Sequence, residues 1–235
     1  MKIDIWSDIM CPFCYIGKRR LEQALSNFEH KNDVEITWHS FQLDPSMTAQ
    51  PGKSIHQYLA ERKGQSLEWS EKVHEQMTKN ALADGLVYNF NKAIIANSFD
   101  AHRLIHLAHK HGIGGAMKEA LLKAYFTDGK NISDHNTLMQ IGIDSGLRVL
   151  EIGSMLNSDE YAGEVQADIA MAREMGINGV PFFVFDNKYA ISGAQPAAVF
   201  RDGLQQAWSE YYKSNTALTS EAEICTTDGT CITKN

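Results

Sequence analysis

The chain has 235 residues, of which 43% are hydrophobic and 22% charged, as is ordinary for a soluble globular protein with a sizeable core. Its formal net charge of −7 argues against sequence-independent binding to nucleic-acid phosphates or to an anionic membrane surface, because both are negatively charged. The start, Met1–Met10, lacks the basic end and long apolar run of a secretory signal, and the longest apolar stretch, around Val180–Phe185, is far too short to span a bilayer. The sequence therefore predicts a cytoplasmic protein that binds neither nucleic acid nor membrane.

The first part of the chain has the pattern of a strand, a helix and a second strand. Polar and apolar residues alternate from Lys2 to Ser7, which is typical of a strand. Apolar residues then recur at helical spacing from about Tyr15 to Phe28. A second strand is predicted at about Val34–Phe41, after a charged break. This order predicts a βαβ unit.

The middle of the chain, about Ser54–Met175, has almost no strand pattern and is predicted to be helical. Serine before a helical run and glycine after it mark the expected helix ends, because serine caps free N–H groups and glycine adopts the left-handed conformation. The predicted ends are Ser54 with Gly64, Ser98 with Gly112, two further starts at Ser133 and Ser158, and a stop at Gly176.

Strand character returns near the end of the chain. Val180–Phe185 is apolar and aromatic, Asp186-Asn187 is a turn, and Lys188–Ser192 is the expected hairpin partner. A last helix is predicted at about Pro196–Tyr212, followed by a polar tail. The fold class is thus α/β, with an all-helical domain inserted between a βαβ half and a ββα half. The predicted boundaries are 1–50 plus 177–213 for the discontinuous α/β domain, 51–176 for the helical domain and 214–235 for the tail.

Four cysteines form two close pairs, Cys11 with Cys14 and Cys225 with Cys231. Cytoplasmic thiols are normally kept reduced, so paired cysteines there indicate redox chemistry or metal binding. The first pair precedes the first predicted helix, whose free N–H groups and dipole are expected to lower the pKa of Cys11. Pro12 suits the first helical turn, and the two-residue spacing brings Cys14 within reach. Cys11 is therefore the predicted nucleophile and Cys14 the residue that resolves a mixed disulfide.

A structural zinc site that uses all four cysteines is the alternative. Two-residue spacing fits zinc, but the second pair has five residues between its cysteines and lies in a tail. Proline between the first two cysteines and a helix directly after them favour redox chemistry. Three histidines at helical spacings are also more simply explained by packing, so no metal is predicted. These histidines are His102, His106 and His109.

Four segments, spread from the first strand to the last hairpin, resemble one known family: Ser7–Leu21 (SDIMCPFCYIGKRRL), Phe41–Pro45, Asn97–Leu104 and Gly176–Phe183 (GINGVPFF). The first and last carry the most specific resemblance. The family is the DsbA family of thiol–disulfide oxidoreductases, in its cytosolic FrnE-like branch. The resemblance implies a thioredoxin-like fold with a helical insertion, in agreement with the organisation predicted above.

The resemblance also implies site residues and partners. The proline that matches Pro181 is cis in this family and faces the cysteine pair, and the residue before it, here Val180, helps to present the substrate backbone. The substrates would be protein thiols and disulfides. No cofactor is implied beyond the redox-active disulfide, with glutathione or a thioredoxin-type protein as an electron partner that recycles the pair.

The residues between the active cysteines, Pro12 and Phe13, are expected to tune the reduction potential. Strongly oxidising DsbA proteins typically have histidine after the proline, where it stabilises the thiolate. Phe13 cannot donate a hydrogen bond or carry a charge. The sequence therefore predicts a less oxidising pair, between about −120 mV and about −270 mV, the values of DsbA and thioredoxin. The direction of electron flow stays open.

The tail pair lies symmetrically about Asp228 in a segment that can form a hairpin. A three-residue loop with Gly229 in the left-handed position would put Cys225 opposite Cys231, within disulfide reach, whereas a two-residue turn would put them on opposite faces. Some FrnE-type proteins carry a second pair near the C-terminus with a different spacing. The tail pair is either an electron shuttle to Cys11 and Cys14, or a staple, or two free thiols.

Two other functions compete with disulfide exchange. Glutathione-dependent transferases of the kappa class and hydroxychromene-carboxylate isomerases share the inserted-helix architecture, but typically have serine where Cys11 stands. A chaperone-like binding module would use the helical domain and keep the cysteines incidentally.

Overall fold

A four-stranded mixed sheet forms the centre of the computed structural model, which describes residues 1–48, 50 and 52–220. The strands are β1 (Lys2–Ser7), β2 (Glu35–Ser40), β3 (Phe182–Phe185) and β4 (Tyr189–Ser192). Their order is β2-β1-β3-β4. β1 is parallel to β2 and antiparallel to β3, and the β3–β4 hairpin is antiparallel. The central position of β1 is why all but one of its residues are buried.

Two helices cover one face of this sheet. They are α1 (Pro12–Ser26), which follows β1, and α9 (Ala197–Ser220), which follows β4. Ile3, Ile5 and Phe183 from the strands pack with Phe200 and Leu204 from α9 in one buried cluster. The alternation predicted for β1 thus places Ile3 and Ile5 against these helices, whereas Trp6 packs on the other face of the sheet.

The segment between β2 and β3 is helical, and its apolar residues form the largest buried cluster of the described chain. This cluster also contains Ile9, Tyr15 and Ile16 from the active-site segment, so the helical part packs directly behind the first turn of α1. The helices are α2 (Ile55–Lys63), α3 (Leu67–Ala83), α4 (Phe99–Lys110), α5 (Gly114–Phe126), α6 (His135–Asp144), α7 (Val149–Leu156) and α8 (Ala162–Glu174).

Capping residues predicted some helix ends correctly. Ser54 caps α2 in a capping box with Gln57, and Gly64 ends it in the left-handed conformation. Ser98 directly precedes α4, although its side chain makes no capping hydrogen bond.

Ser133 and Ser158 are wrong as helix starts. α6 begins one residue later than Ser133 implies, because Asp134 caps it by accepting from the Thr137 N–H. The Ser158 hydroxyl donates instead to the Ser154 carbonyl at the end of the preceding helix. α8 begins only after Tyr161. α1 also starts earlier than predicted, because Pro12 and Phe13 are already helical.

A buried polar cluster joins the sheet to the helical segment. His39 on β2 lies 2.7 Å from a carboxylate oxygen of Asp168 on α8 and 2.7 Å from one of Asp4 on β1. The second Asp168 oxygen accepts from the Ser40 N–H at 2.7 Å and lies 3.0 Å from His106 Nε2. Four elements therefore meet at Asp168.

No helix of the described chain is long and apolar enough to cross a membrane.

Candidate active site

Cys11 and Cys14 lie at the point where β1 leads into α1. Cys11 is the N-cap residue of α1, Pro12 occupies the first helical position, and Cys14 lies in the first turn. The two cysteines are 3% and 1% exposed, whereas Phe13 between them is 47% exposed. The helical turn directs Phe13 outward and leaves both sulphur atoms beneath it.

The loop before β3 forms the opposite wall of the site. The Val180–Pro181 peptide bond is cis, the isomer implied by the family resemblance. The Cys11 thiol donates to the Val180 carbonyl at 3.4 Å. The Pro181 carbonyl accepts from the Gly193 N–H at 2.8 Å, which ties this loop to the end of the β3–β4 hairpin. The structure thus brings Val180, Pro181 and the first cysteine pair together.

The close approach of this wall depends on a glycine in α1. A Cβ atom added at Gly17 would lie 2.9 Å from Cγ of Pro181 and 3.1 Å from Cζ of Phe183. Only glycine leaves room for the proline ring at this distance. Gly17 is part of the segment that resembles the DsbA family, but no pattern in the sequence distinguishes it from the other glycines.

Ionisation of Cys11 differs from the sequence-based expectation. A hydrogen bond with the Cys14 side chain raises the pKa of the Cys11 thiol well above its ordinary value, and burial and the charge of Asp8 act in the same direction. The Cys14 N–H, at the start of the helix, acts the opposite way, as expected from the helix position. In the reduced pair, the Cys14 thiol raises the pKa of Cys11 by more than the N-terminus of the helix lowers it.

Asp8 is a buried carboxylate close to the cysteine pair. Its carboxylate accepts from the Leu43 N–H at 2.8 Å and from the Met10 N–H at 3.3 Å, and it lies 3.4 Å from His102 Nε2. Burial alone would raise the pKa of Asp8, but the hydrogen bond and charge of His102 and the Leu43 N–H together hold it below its ordinary value. Asp8 is therefore an ionised carboxylate in the interior.

Two residues of the helical segment reach the same site. The Tyr88 hydroxyl donates to the Pro12 carbonyl at 2.6 Å. The Lys118 ammonium on α5 donates to the Ser7 carbonyl at 3.2 Å, and Lys118 is 0% exposed. The sequence signal for Lys118 is a charged residue on the apolar face of a helix, next in spacing to Leu121 and Leu122. Tyr88 has no comparable signal, because it lies between helices.

The second cysteine pair and the histidines of α4 complete the set of residues considered from the sequence. Cys225 and Cys231 lie outside the described residues. His102 contacts Asp8 and His106 contacts Asp168, so each has a carboxylate partner. Within the described ranges, no group of three or more histidine, cysteine, aspartate or glutamate side chains is arranged to hold a metal ion.

Comparison with known proteins agrees with this geometry. The solved structure of SCO1869 from Streptomyces coelicolor, described as a probable DsbA oxidoreductase, is 36% identical, with all of both chains covered and a TM-score of 0.86. The uncharacterized protein YwbO of Bacillus subtilis is 26% identical over 219 residues, which are 90% of this chain and 97% of YwbO. The cytosolic disulfide reductase DsbM from Pseudomonas aeruginosa, solved with GSH, shares the fold at 16% identity, with 89% and 100% of the two chains covered and a TM-score of 0.59. The DSBA-like thioredoxin domain family matches residues 2–205. The chain therefore belongs to this family and has the thioredoxin-like fold of the DsbA oxidoreductases.

Proposed function

We propose that the protein is a cytoplasmic thiol–disulfide oxidoreductase of the FrnE-like branch that acts on protein disulfides. The observation that carries the proposal is the contact of the Cys11 thiol with the Val180 carbonyl at the N-terminus of α1. A peptide that forms a backbone hydrogen bond with Val180 would bring its own sulphur to Cys11. The partly buried Val180 and the exposed Phe13 provide apolar contact surface beside the sulphur atoms.

The exchange would proceed in two steps. The Cys11 thiolate attacks one sulphur of a substrate disulfide, so that a new S–S bond forms and the other substrate sulphur leaves as a thiolate. Cys14 then loses its proton and attacks Cys11 Sγ, which releases the first substrate sulphur. The substrate gains two electrons and two protons, and the pair is oxidised to a disulfide. Run in reverse, the same steps oxidise a substrate dithiol. Isomerisation of a disulfide needs only the first step and its reversal.

Recycling requires an external thiol or disulfide. A cytosolic disulfide reductase of the same fold was solved with GSH, which supports glutathione as the electron partner, and a thioredoxin-type protein is the other class we propose. No further cofactor enters the proposed exchange. The tail pair, Cys225 with Cys231, is proposed as an electron shuttle to this site.

Cysteine variants test the proposal. We expect Cys11→Ser to abolish reduction of a model protein disulfide, because the thiol that attacks the substrate is lost. Cys14→Ser is expected to accumulate a mixed disulfide with the substrate, visible as a reducible band on a gel. A chaperone-like module would instead keep full activity against aggregation in Cys11→Ser and trap nothing. A glutathione-dependent transferase would form a glutathione conjugate without net oxidation of a dithiol.

A further inference from the structure

Arg20 is a partly buried arginine on α1 that contacts two other parts of the chain. Its Nε lies 3.1 and 3.0 Å from the two carboxylate oxygens of Asp84, the residue directly after α3, and its Nη2 lies 3.0 Å from one of them. Nη1 donates to the Ala194 carbonyl, shortly after β4, at 2.6 Å. Because the carboxylate of Asp84 fixes the plane of the guanidinium, it also fixes the direction of the bond to Ala194.

The contact with Ala194 leads to the wall of the redox site that contains the cis peptide bond. Ala194 follows Gly193, whose N–H donates to the Pro181 carbonyl at 2.8 Å. The carbonyl of Val180, one residue before Pro181, accepts from the Cys11 thiol at 3.4 Å. Three hydrogen bonds and the short peptide segments between them therefore connect the guanidinium to the nucleophile.

The same face of α1 sets the distance between this helix and the wall. Gly17 lies one turn before Arg20, and a Cβ atom added there would lie 2.9 Å from Cγ of Pro181. Gly17 thus permits the close approach of the wall, and Arg20 supplies a bond that holds the wall at that distance.

The helical segment contacts the cysteine side of the site as well. Asp84 and Tyr88 both belong to the connection after α3, and the Tyr88 hydroxyl donates to the Pro12 carbonyl at 2.6 Å. This connection therefore holds the turn between the cysteines directly and holds the opposite wall through Arg20. A gap fixed from both sides suits a site that has to orient an extended peptide against a sulphur atom.

We propose that Arg20, held by Asp84, is a positioning residue for protein substrates, which keeps the wall of Val180 and Pro181 where a substrate backbone can bind it. This inference rests on the proposed function of the cysteine pair. A substrate peptide has to fit between that wall and Cys11, so a small shift of the wall weakens its docking. A small disulfide without a peptide backbone makes no use of the wall, and its reaction should not depend on Arg20.

Arg20→Met tests the proposal, because methionine is unbranched and has no donor. With dithiothreitol as the reductant, we expect kcat/KM for the reduction of insulin to fall about tenfold, mainly through a higher KM, since the wall contributes to docking. The rate constant for oxidation of the reduced pair by hydroxyethyl disulfide, followed by the loss of protein thiols, should stay within about twofold of the wild type. Both measurements use protein that carries Cys225→Ser and Cys231→Ser, so that only the active-site thiols are counted.

Two further variants show whether the effect belongs to this contact. Arg19→Met is the matched control, because Arg19 is the neighbouring arginine of α1 but pairs with Glu22 and Glu119, and both rates should stay near those of the wild type. Arg20→Lys keeps the charge but cannot engage Asp84 and Ala194 with one planar group. It should recover only part of the lost kcat/KM for insulin.

The ratio of the two rates decides between the outcomes. Folded Arg20→Met that loses both reactions equally, or neither, would contradict the inference, because the arginine would then serve the fold alone. If Arg20→Met does not fold, Asp84→Asn takes its place, since it keeps the size of the side chain; we expect a selective loss of about threefold with insulin, and an unchanged ratio would overturn the inference. If the wild type reduces neither insulin nor hydroxyethyl disulfide, the proposed function itself fails.

Discussion

Gly17 controls how closely α1 approaches the loop that contains Pro181. The proline ring and Phe183 both lie within 3.1 Å of the position that a Cβ atom would take. A methyl group at this distance cannot be accommodated by the ring of a proline, which has no rotamer to change. Either the Pro181 loop or the first turns of α1 must shift, and the Cys11 thiol would lose its contact with Val180.

We therefore expect Gly17→Ala to lower the kcat/KM for reduction of a protein disulfide by about tenfold or more, and to destabilise the protein by roughly 1–3 kcal/mol through overpacking. Gly163→Ala is the matched control. Gly163 lies in α8 with nothing within 4 Å of its added Cβ, so alanine should leave activity unchanged and raise stability slightly. Equal activity of Gly17→Ala and the wild type would show that the close approach has no role in exchange.

Some residues of the site could be predicted from the sequence, whereas others became apparent only in the structure. The cysteine pair and Pro12 were predictable because their chemistry depends on neighbours in the chain. Gly17 and Lys118 act through residues that are distant in sequence, so their spacing carries little information. The pKa of Cys11 was mispredicted for the same reason. The helix N-terminus is a local feature, but the side chain of Cys14 and burial dominate.

His39 links three elements of the fold through two carboxylates. It joins β2 to Asp4 on β1 and to Asp168 on α8. Burial alone would lower the pKa of His39, but the hydrogen bonds to Asp168 and Asp4 outweigh it and raise the pKa above the ordinary 6.5. His106 and His39 in turn hold the pKa of Asp168 far below its ordinary value. Both carboxylates therefore face an imidazolium in mildly acidic solution.

The stabilisation of the fold by His39 is expected to decrease as the pH rises. A raised pKa means that the folded state holds the His39 proton more tightly than the unfolded chain. This stabilisation is fully present below pH 6.5 and is lost as the pH rises through the folded pKa. We expect His39→Gln to lower the free energy of unfolding by about 2 kcal/mol near pH 5.5, as for hydrogen bonds between charged groups, and by less at pH 9.

Denaturant unfolding at several pH values measures this difference. His135→Gln is the control, because His135 also lies near a carboxylate, at 3.1 Å from Asp100, but half of its side chain is exposed. Its effect should be small at every pH, as for surface ion pairs. A His39→Gln effect that is constant between pH 5.5 and pH 9 would mean that His39 acts by shape alone.

The elements themselves were largely predictable, because alternation and capping are local. β1 was predicted with its observed bounds, and Ser54 with Gly64 delimited α2. The pairing order of the strands required the family resemblance, since β1 pairs with β3 across the whole helical segment. The cluster around Asp168 could not be predicted, because its members come from four elements that have no common pattern.

On the scale of the whole molecule, the direction of α9 limits where the tail cysteines can act. Phe200, near the start of α9, packs against Phe183, whereas Trp208 packs against Phe28, beyond the far end of α1. The chain therefore leads away from Cys11. Ser220 lies about 18 Å beyond Trp208 at the helical rise, and α1 itself spans about 22 Å.

Cys225 follows Ser220 by five residues, which extend at most about 18 Å. This is less than half of the roughly 40 Å back to the first turn of α1. While α9 stays helical to Ser220, Cys225 cannot reach Cys11 of its own chain. Cys231 follows Ser220 by eleven residues and spans about 40 Å only when fully extended, but complete exchange needs both tail cysteines at the site, and Cys225 does not reach it. If the tail pair shuttles electrons, the reach of the chain therefore predicts that it does so between molecules.

Two complementary variants measure electron transfer between the tail pair of one molecule and the active-site pair of another. Oxidised protein that carries Cys225→Ser and Cys231→Ser is mixed with reduced protein that carries Cys11→Ser and Cys14→Ser, so that only transfer between molecules can occur. We expect the first protein to be reduced at a rate proportional to the concentration of the second, as fast as the pair recovers in the wild type at equal concentration. Protein without any of the four cysteines is the control and should transfer nothing. Recovery in the wild type that is independent of concentration, and faster than in the mixture, would mean that the tail reaches its own active site and that α9 unwinds before Ser220. No transfer in either experiment would leave the tail pair as a staple or as two free thiols.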